Sequence, residues 1–228
     1  MSTAPVPAQQ VTRPRHHHFY PDERSGAAAS RRSTCRRAFP DFDGPGVLKQ
    51  RLSWHVSQGA NQYAPMTGAA PLREAIAEKT AQLYGWQPDA NSEVTVTAGA
   101  TEALFAAISA LVRSGDEVIC FDPSYDSYAP AVQLSGGVLK RIALQPPAFK
   151  VDWQRFAEQL SPRTRLVILN TPQNPSATAW SAEDMQQLWA AIADREIYIL
   201  SDEVYEHICF AKGGTPACWP IRNCVSGR

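Results

Sequence analysis

Four short apolar runs, Glu117-Val-Ile-Cys-Phe121, Val138-Leu-Lys-Arg-Ile-Ala143, Arg165-Leu-Val-Ile-Leu169 and Ile197-Tyr-Ile-Leu200, alternate with segments whose apolar residues recur at helical spacing, and this constrains the fold most. Runs of that length are too short for a core helix, and those with little polar alternation are what strands covered on both faces require. Between them, Glu102–Arg113 repeats Leu104, Ala107, Ile108 and Leu111, and Ala182–Ala193 is amphipathic. Further helices are predicted after Tyr125 and around Trp153–Leu160. Upstream, Pro71–Tyr84 reads as a helix with Leu72, Ala75, Ile76 and Leu83 on one face, Pro71 in the first turn and Gly85 as its stop. Glu93-Val-Thr-Val-Thr97 reads as another short strand. Strands separated by helices predict an α/β three-layer sandwich with a largely parallel sheet, whose ligands sit at the strands' carboxyl ends.

This pattern starts near residue 39 and fails after Phe210. Residues 1–38 are rich in Pro, Arg, Ser and Ala and are expected to be a disordered or unrelated segment, 39–210 a partial ligand-binding domain, and 211–228 an irregular tail. His16, His17 and His18 have no Cys, Asp or Glu at metal-ligand spacing and belong to the solvated segment. The 22 basic residues balance 22 acidic ones, which gives no reason to expect nucleic acid or a membrane surface as partner. Cysteines 35, 120, 209, 218 and 224 are odd in number and form no Cys-x-x-Cys pair, as expected of a reduced, cytoplasmic protein. The opening Met-Ser-Thr-Ala-Pro-Val-Pro has no apolar signal core, and no run reaches the ~20 residues of a membrane span.

Candidate chemistry gathers where strands end. Thr97-Ala-Gly-Ala-Thr-Glu102 joins a strand to a helix through small residues, so backbone N–H groups and the Thr101 hydroxyl can hold a phosphate. Taken alone, the segment reads first as a tight strand-to-helix turn with Thr101 as N-cap, because capping is so common. Neither Gly-x-Gly-x-x-Gly nor Gly-x-x-x-x-Gly-Lys-Ser/Thr occurs, which weakens a dinucleotide or nucleoside triphosphate reading. Tyr125, in Asp122-Pro-Ser-Tyr125, is placed to stack on a planar ligand or to serve as a core tyrosine. Asn174, between Gln173 and Pro175, suits a turn or a ligand contact. Asp202 follows an apolar strand, where a carboxylate needs a partner; a cationic ring nitrogen or a helix terminus would serve.

The ordered series Asn61-Gln-Tyr63, Gly99-Ala-Thr-Glu102, Asp122-Pro-Ser-Tyr125, Asn170-Thr-Pro-Gln-Asn-Pro175 and Ser201-Asp-Glu-Val-Tyr205 resembles the class I/II aminotransferases of fold type I, especially bacterial methionine and kynurenine-type enzymes, over residues 39 to about 210. The resemblance implies a pyridoxal 5'-phosphate cofactor, with amino acids and 2-oxo acids as substrates. Ala100 and Thr101 would then hold the cofactor phosphate, Tyr125 would stack on its ring, Asn174 and Tyr205 would bond its 3-oxygen, and Asp202 would pair with its ring nitrogen. Tyr63 would reach the phosphate of a neighbouring subunit, implying a homodimer. The family's Schiff-base lysine has no counterpart here, so no catalytic residue is assigned. Of the 26 residues after Asp202 only Lys212 is a lysine, and its Ala-Lys-Gly-Gly setting is not the family's Ser/Gly-rich one. The match ends abruptly on both sides, as expected of a truncated or rearranged coding sequence. An inactive transaminase portion, a non-catalytic cofactor-binding or dimerising remnant, and a carbon–sulfur lyase of the same fold are the readings carried forward.

Overall fold

The structure is a computed structural model and describes residues 42–209. The described residues fall into two units, divided between Gln62 and Tyr63. Within the first lies helix α1, Gly46–Ser57, which the sequence reading did not assign. None of its residues is buried, and Val47, Leu48, Leu52, Trp54 and Val56 are all about half exposed or more. An apolar stripe that faces no core leaves periodicity without its usual meaning.

The second unit contains helices α2 (Ala70–Tyr84), α3 (Ala100–Leu111), α4 (Tyr128–Leu134), α5 (Trp153–Gln159) and α6 (Ala182–Ile192), with strands β1 (Glu117–Asp122), β2 (Val138–Ala143), β3 (Thr164–Asn170) and β4 (Tyr198–Asp202). The strands form one parallel sheet in the order β2-β1-β3-β4. Successive strands run outward from β1 to β2, then return past β1 to β3. In open α/β sheets such a reversal, here between β1 and β3, leaves a crevice at the strands' carboxyl ends where ligands bind.

Each central strand is apolar on both sides because each side has its own core. Ile119, Phe121, Val167 and Leu169 face Phe156 of α5 and Met185, Leu188 and Ile192 of α6. Val118, Cys120, Leu166 and Ile168 face Leu104 and Ile108 of α3 and Tyr128, Ala131 and Val132 of α4. The period-two alternation thus sorts one strand into two cores and produces the expected three layers. Helix α6 starts with a capping box: Asp184 N–H donates to Ser181 Oγ at 3.1 Å, and Ser181 N–H donates to Asp184 Oδ2 at 2.8 Å.

Three expectations are corrected. In α2 the buried residues are Arg73 and Ala77, whereas Leu72 and Leu83 are about half exposed. Arg73 turns inward because its guanidinium donates to the carbonyls of Gly68 and Ala90, which satisfies two loop acceptors. Residues 93–97 form no strand: no neighbouring strand among the described residues offers them a ladder, and Val96 N–H instead donates to the Thr67 carbonyl at 3.0 Å. The cap of α3 is Gly99, at φ 90°, and Thr101 lies inside the first turn. Lys212, the three adjacent histidines and the irregular tail lie outside the described residues. No helix among the described residues is long and apolar enough to cross a membrane.

Candidate functional site

At the carboxyl end of the sheet, β4 delivers Asp202 to a position only 8% exposed. Its Oδ2 accepts the Tyr128 hydroxyl at 2.6 Å, and its Oδ1 accepts the Val204 N–H at 3.3 Å. None of the ion pairs among the described residues involves Asp202. A buried carboxylate bonded only by neutral donors retains acceptor capacity and favours a cationic ligand. Burial first, and then the Asp202 carboxylate, push the Tyr128 phenol far above its ordinary range, so it stays protonated and donates.

The loops after β1, β3 and β4 are tied together around this carboxylate. Asn170 Nδ2 donates to the Asp202 carbonyl at 2.8 Å, and Asn170 Oδ1 accepts the Asn174 N–H at 2.7 Å. Gln173 Nε2 reaches across to the Pro123 carbonyl at 3.0 Å, joining the two sides of the crevice. The Asn174 carboxamide is left without a bond to another described side chain, free for a ligand oxygen. Tyr125 is half-buried, with its ring edge-on to Tyr128 at 5.8 Å between centroids. Tyr205 lies in the turn after β4, and the adjacent Glu206 accepts from Lys79 and Tyr84 of α2. That contact anchors the turn carrying the Tyr205 phenol.

Helix α3 brings its N-terminus to the same end of the sheet. Its last residues, Ala110 and Leu111, line a cavity of about 580 Å³ together with Arg163, Thr164 and Ile197 at the amino ends of β3 and β4. Twelve residues at about 1.5 Å rise carry the helix back across the layer to Ala100 and Thr101. The first-turn N–H groups have no intrahelical acceptor, and space is open where a side chain would stand on Gly99. Glu102 turns back to accept the Ala98 N–H, which fixes the turn. The cavity itself is at the wrong end of the strands for these residues and belongs to another region of the surface.

The contacts thus link Asp202 through Tyr128 to Tyr125 and through Asn170 to Asn174, while Tyr205 lies in the turn after β4 and Ala100 and Thr101 in the first turn of α3. Tyr63 is not gathered in; it is fully exposed. Tyr128 was missed from sequence because it sits in a helix among core residues, and only its i+3 spacing from Tyr125 hinted at a shared face. The donor set suits pyridoxal phosphate: a dianion acceptor at a helix N-terminus, an aromatic ring, a carboxamide and phenol, and an anion kept without a cation.

The model of the family described as aminotransferase class I and II matches residues 39–224. The methionine aminotransferase of Escherichia coli K12 is 71% identical over 178 residues, which cover 78% of this chain and 46% of that protein. A probable N-succinyldiaminopimelate aminotransferase of Mycobacterium tuberculosis is 39% identical over 76% of this chain and 44% of its own length. Among solved structures, the Escherichia coli protein YbdL, described with a methionine aminotransferase function, superposes with a TM-score of 0.81 at 68% identity, covering 82% of this chain and 50% of that one. An aspartate aminotransferase of Thermus thermophilus gives 0.77 at 32% identity, with 82% and 51% covered. The chain spans about half the length of the curated relatives it matches. With the family model matching residues 39–224 and a relative 71% identical over 178 residues, the chain belongs to the aminotransferase class I and II family.

Proposed function

We propose that residues 63–209 form the cofactor-binding part of a pyridoxal phosphate-dependent aminotransferase that exchanges amino groups between an amino acid and a 2-oxo acid. Members of this family use that cofactor and are typically dimeric. The 71% identity to a methionine aminotransferase supports methionine as the amino donor. The observation that carries the reading is Asp202: buried, hydrogen-bonded, and without a cation among its described partners.

When bound, the cofactor would supply an electron-withdrawing ring that stabilises negative charge at the substrate's alpha carbon. The chain's own residues bind and orient. Ala100 and Thr101 would hold the phosphate with their backbone N–H groups. Tyr125 would cover one ring face, and Asn174 and Tyr205 would donate to the 3-oxygen. Asp202 would keep the proton on the ring nitrogen, and the crevice walls would exclude water from that pair.

The exposed Tyr63 supports a role toward a second subunit of a homodimer. The described lysines are engaged elsewhere or exposed: Lys49 with Asp43, Lys79 with Glu206, Lys140 with Glu117, and Lys150 at the surface. We accordingly propose that residues 63–209 hold the cofactor without a covalent bond and that these 228 residues do not turn over on their own, in a cytoplasmic setting.

The test is a titration of the purified chain with pyridoxal phosphate, followed by absorbance and then by borohydride reduction and mass analysis. Saturable binding that weakens about 10- to 100-fold in Asp202→Asn is expected, from the strength of one charge-assisted hydrogen bond. Absence of saturable binding to the wild-type chain would refute the reading. A borohydride-stable adduct on Lys212 would replace the non-covalent reading with a covalent one.

A further inference from the structure

We infer that Tyr128 is the positioning residue that holds the Asp202 carboxylate toward the cofactor's ring nitrogen, an inference resting on the pyridoxal phosphate reading above. Tyr128 is 2% exposed and opens α4, the helix between β1 and β2, while Asp202 closes β4, which is two strands from β1 in the sheet. Their 2.6 Å contact spans 74 residues of sequence.

A carboxylate at the end of a strand has a free side-chain rotation, and two opposed contacts fix this one. Val204 N–H holds Oδ1 and the phenol holds Oδ2. The phenol is held in place because its side chain is buried in the core that α3 and α4 share with β1 and β3. It also stands edge-on to Tyr125, the ring proposed to lie on the cofactor. Stacking residue and carboxylate are thus set relative to each other through one side chain. A neutral donor is the right chemistry for this job: a lysine or arginine here would neutralise Asp202 and compete with the ring nitrogen, whereas a phenol orients the carboxylate and leaves its charge for the ligand.

The experiment compares pyridoxal phosphate with its 1-deaza analogue, in which carbon replaces the ring nitrogen, so the ratio of the two affinities reports the nitrogen–carboxylate contact alone. The wild-type chain should prefer pyridoxal phosphate. Tyr128→Phe should cut that preference about fivefold, the value of one hydrogen bond, and should cut it no further in an Asp202→Asn background. Equal weakening of both ligands, or an unmoved ratio, overturns the inference and leaves the cofactor reading standing. Failure of the wild-type chain to bind pyridoxal phosphate sinks the cofactor reading and this one with it.

Should Tyr128→Phe not fold, the wild-type chain answers the same question by NMR. The buried Tyr128 hydroxyl proton should shift on addition of pyridoxal phosphate and stay in place with the deaza analogue. A resonance that responds alike to both overturns the inference.

Discussion

Two buried carboxylates stand at opposite ends of the same sheet, and their surroundings differ in kind. Glu117, at the amino end of β1, is 2% exposed and is saturated: Arg163 Nη2 lies at 2.7 Å, Ser161 Oγ at 2.6 Å, and Lys140 completes an ion pair. Asp202, at the carboxyl end of β4, is 8% exposed and meets only a phenol and a backbone N–H. Burial alone therefore does not separate a structural carboxylate from a functional one. The identity of the partners does. A carboxylate that has already taken two cations has its charge consumed by the fold, and one given neutral donors has its charge reserved.

The largest effect that can break this contrast is on stability. Glu117→Gln leaves Lys140 and Arg163 without their counter-ion and should lower the unfolding free energy by about 2–3 kcal/mol, below the usual figure for a fully buried pair because Arg163 is largely exposed. Urea unfolding measures it. Asp202→Asn should change stability by less than about 1 kcal/mol while abolishing the preference for the cofactor, since no cation is stranded. Were the Asp202 variant the less stable of the two, the division into structural and functional carboxylates would collapse.

Acid separates the two ends next. Burial acts to raise the Glu117 carboxyl, but the hydrogen bonds from Lys140, Ser161 and Arg163 outweigh it and hold the group at about 2, below its ordinary 4.5. Because the folded value is depressed, the stabilisation is complete above about 4.5 and is lost as pH falls toward 2. The stability gap between wild type and Glu117→Gln should therefore be constant from neutrality to about pH 5 and close below it. A gap that persists unchanged at pH 2.5 would show that the pair does not depend on the Glu117 charge.

Much of this was legible in the residues themselves. The four apolar runs became β1–β4 because each carries apolar side chains on both faces, a property of local sequence. The place of Asn174, Tyr125 and Asp202 at or just after strand ends was legible from their order, and parallel topology puts those ends on one side of the sheet. What escaped depends on distant partners. Arg73 turned the face of α2, Val96 found a loop carbonyl in place of a strand, and Glu117 found Arg163, 46 residues away. Tyr128 escaped for the same reason: an aromatic residue in an apolar helix reads as core, and it is core, apart from one oxygen atom.

The smallest effects sharpen the comparison with a pair of serines, one at each end. Ser161 Oγ donates to the Glu117 carboxylate at 2.6 Å and accepts the Arg163 N–H at 3.1 Å. Ser127, beside Tyr128 at the carboxyl end, has a buried Oγ with no hydrogen-bond partner among the described residues. Ser161→Ala removes a donor from a buried anion and should cost about 1 kcal/mol. Ser127→Ala removes a hydroxyl that was desolvated for nothing in return, and should be neutral or stabilise by up to about 1 kcal/mol. The opposite signs follow from the same atom type in the same kind of loop, so packing differences alone do not produce them. Thermal unfolding of the two variants side by side checks the signs. Destabilisation by both would mean that the Ser127 hydroxyl is satisfied in solution, and that the polar groups at the carboxyl end are no less saturated than those at the amino end.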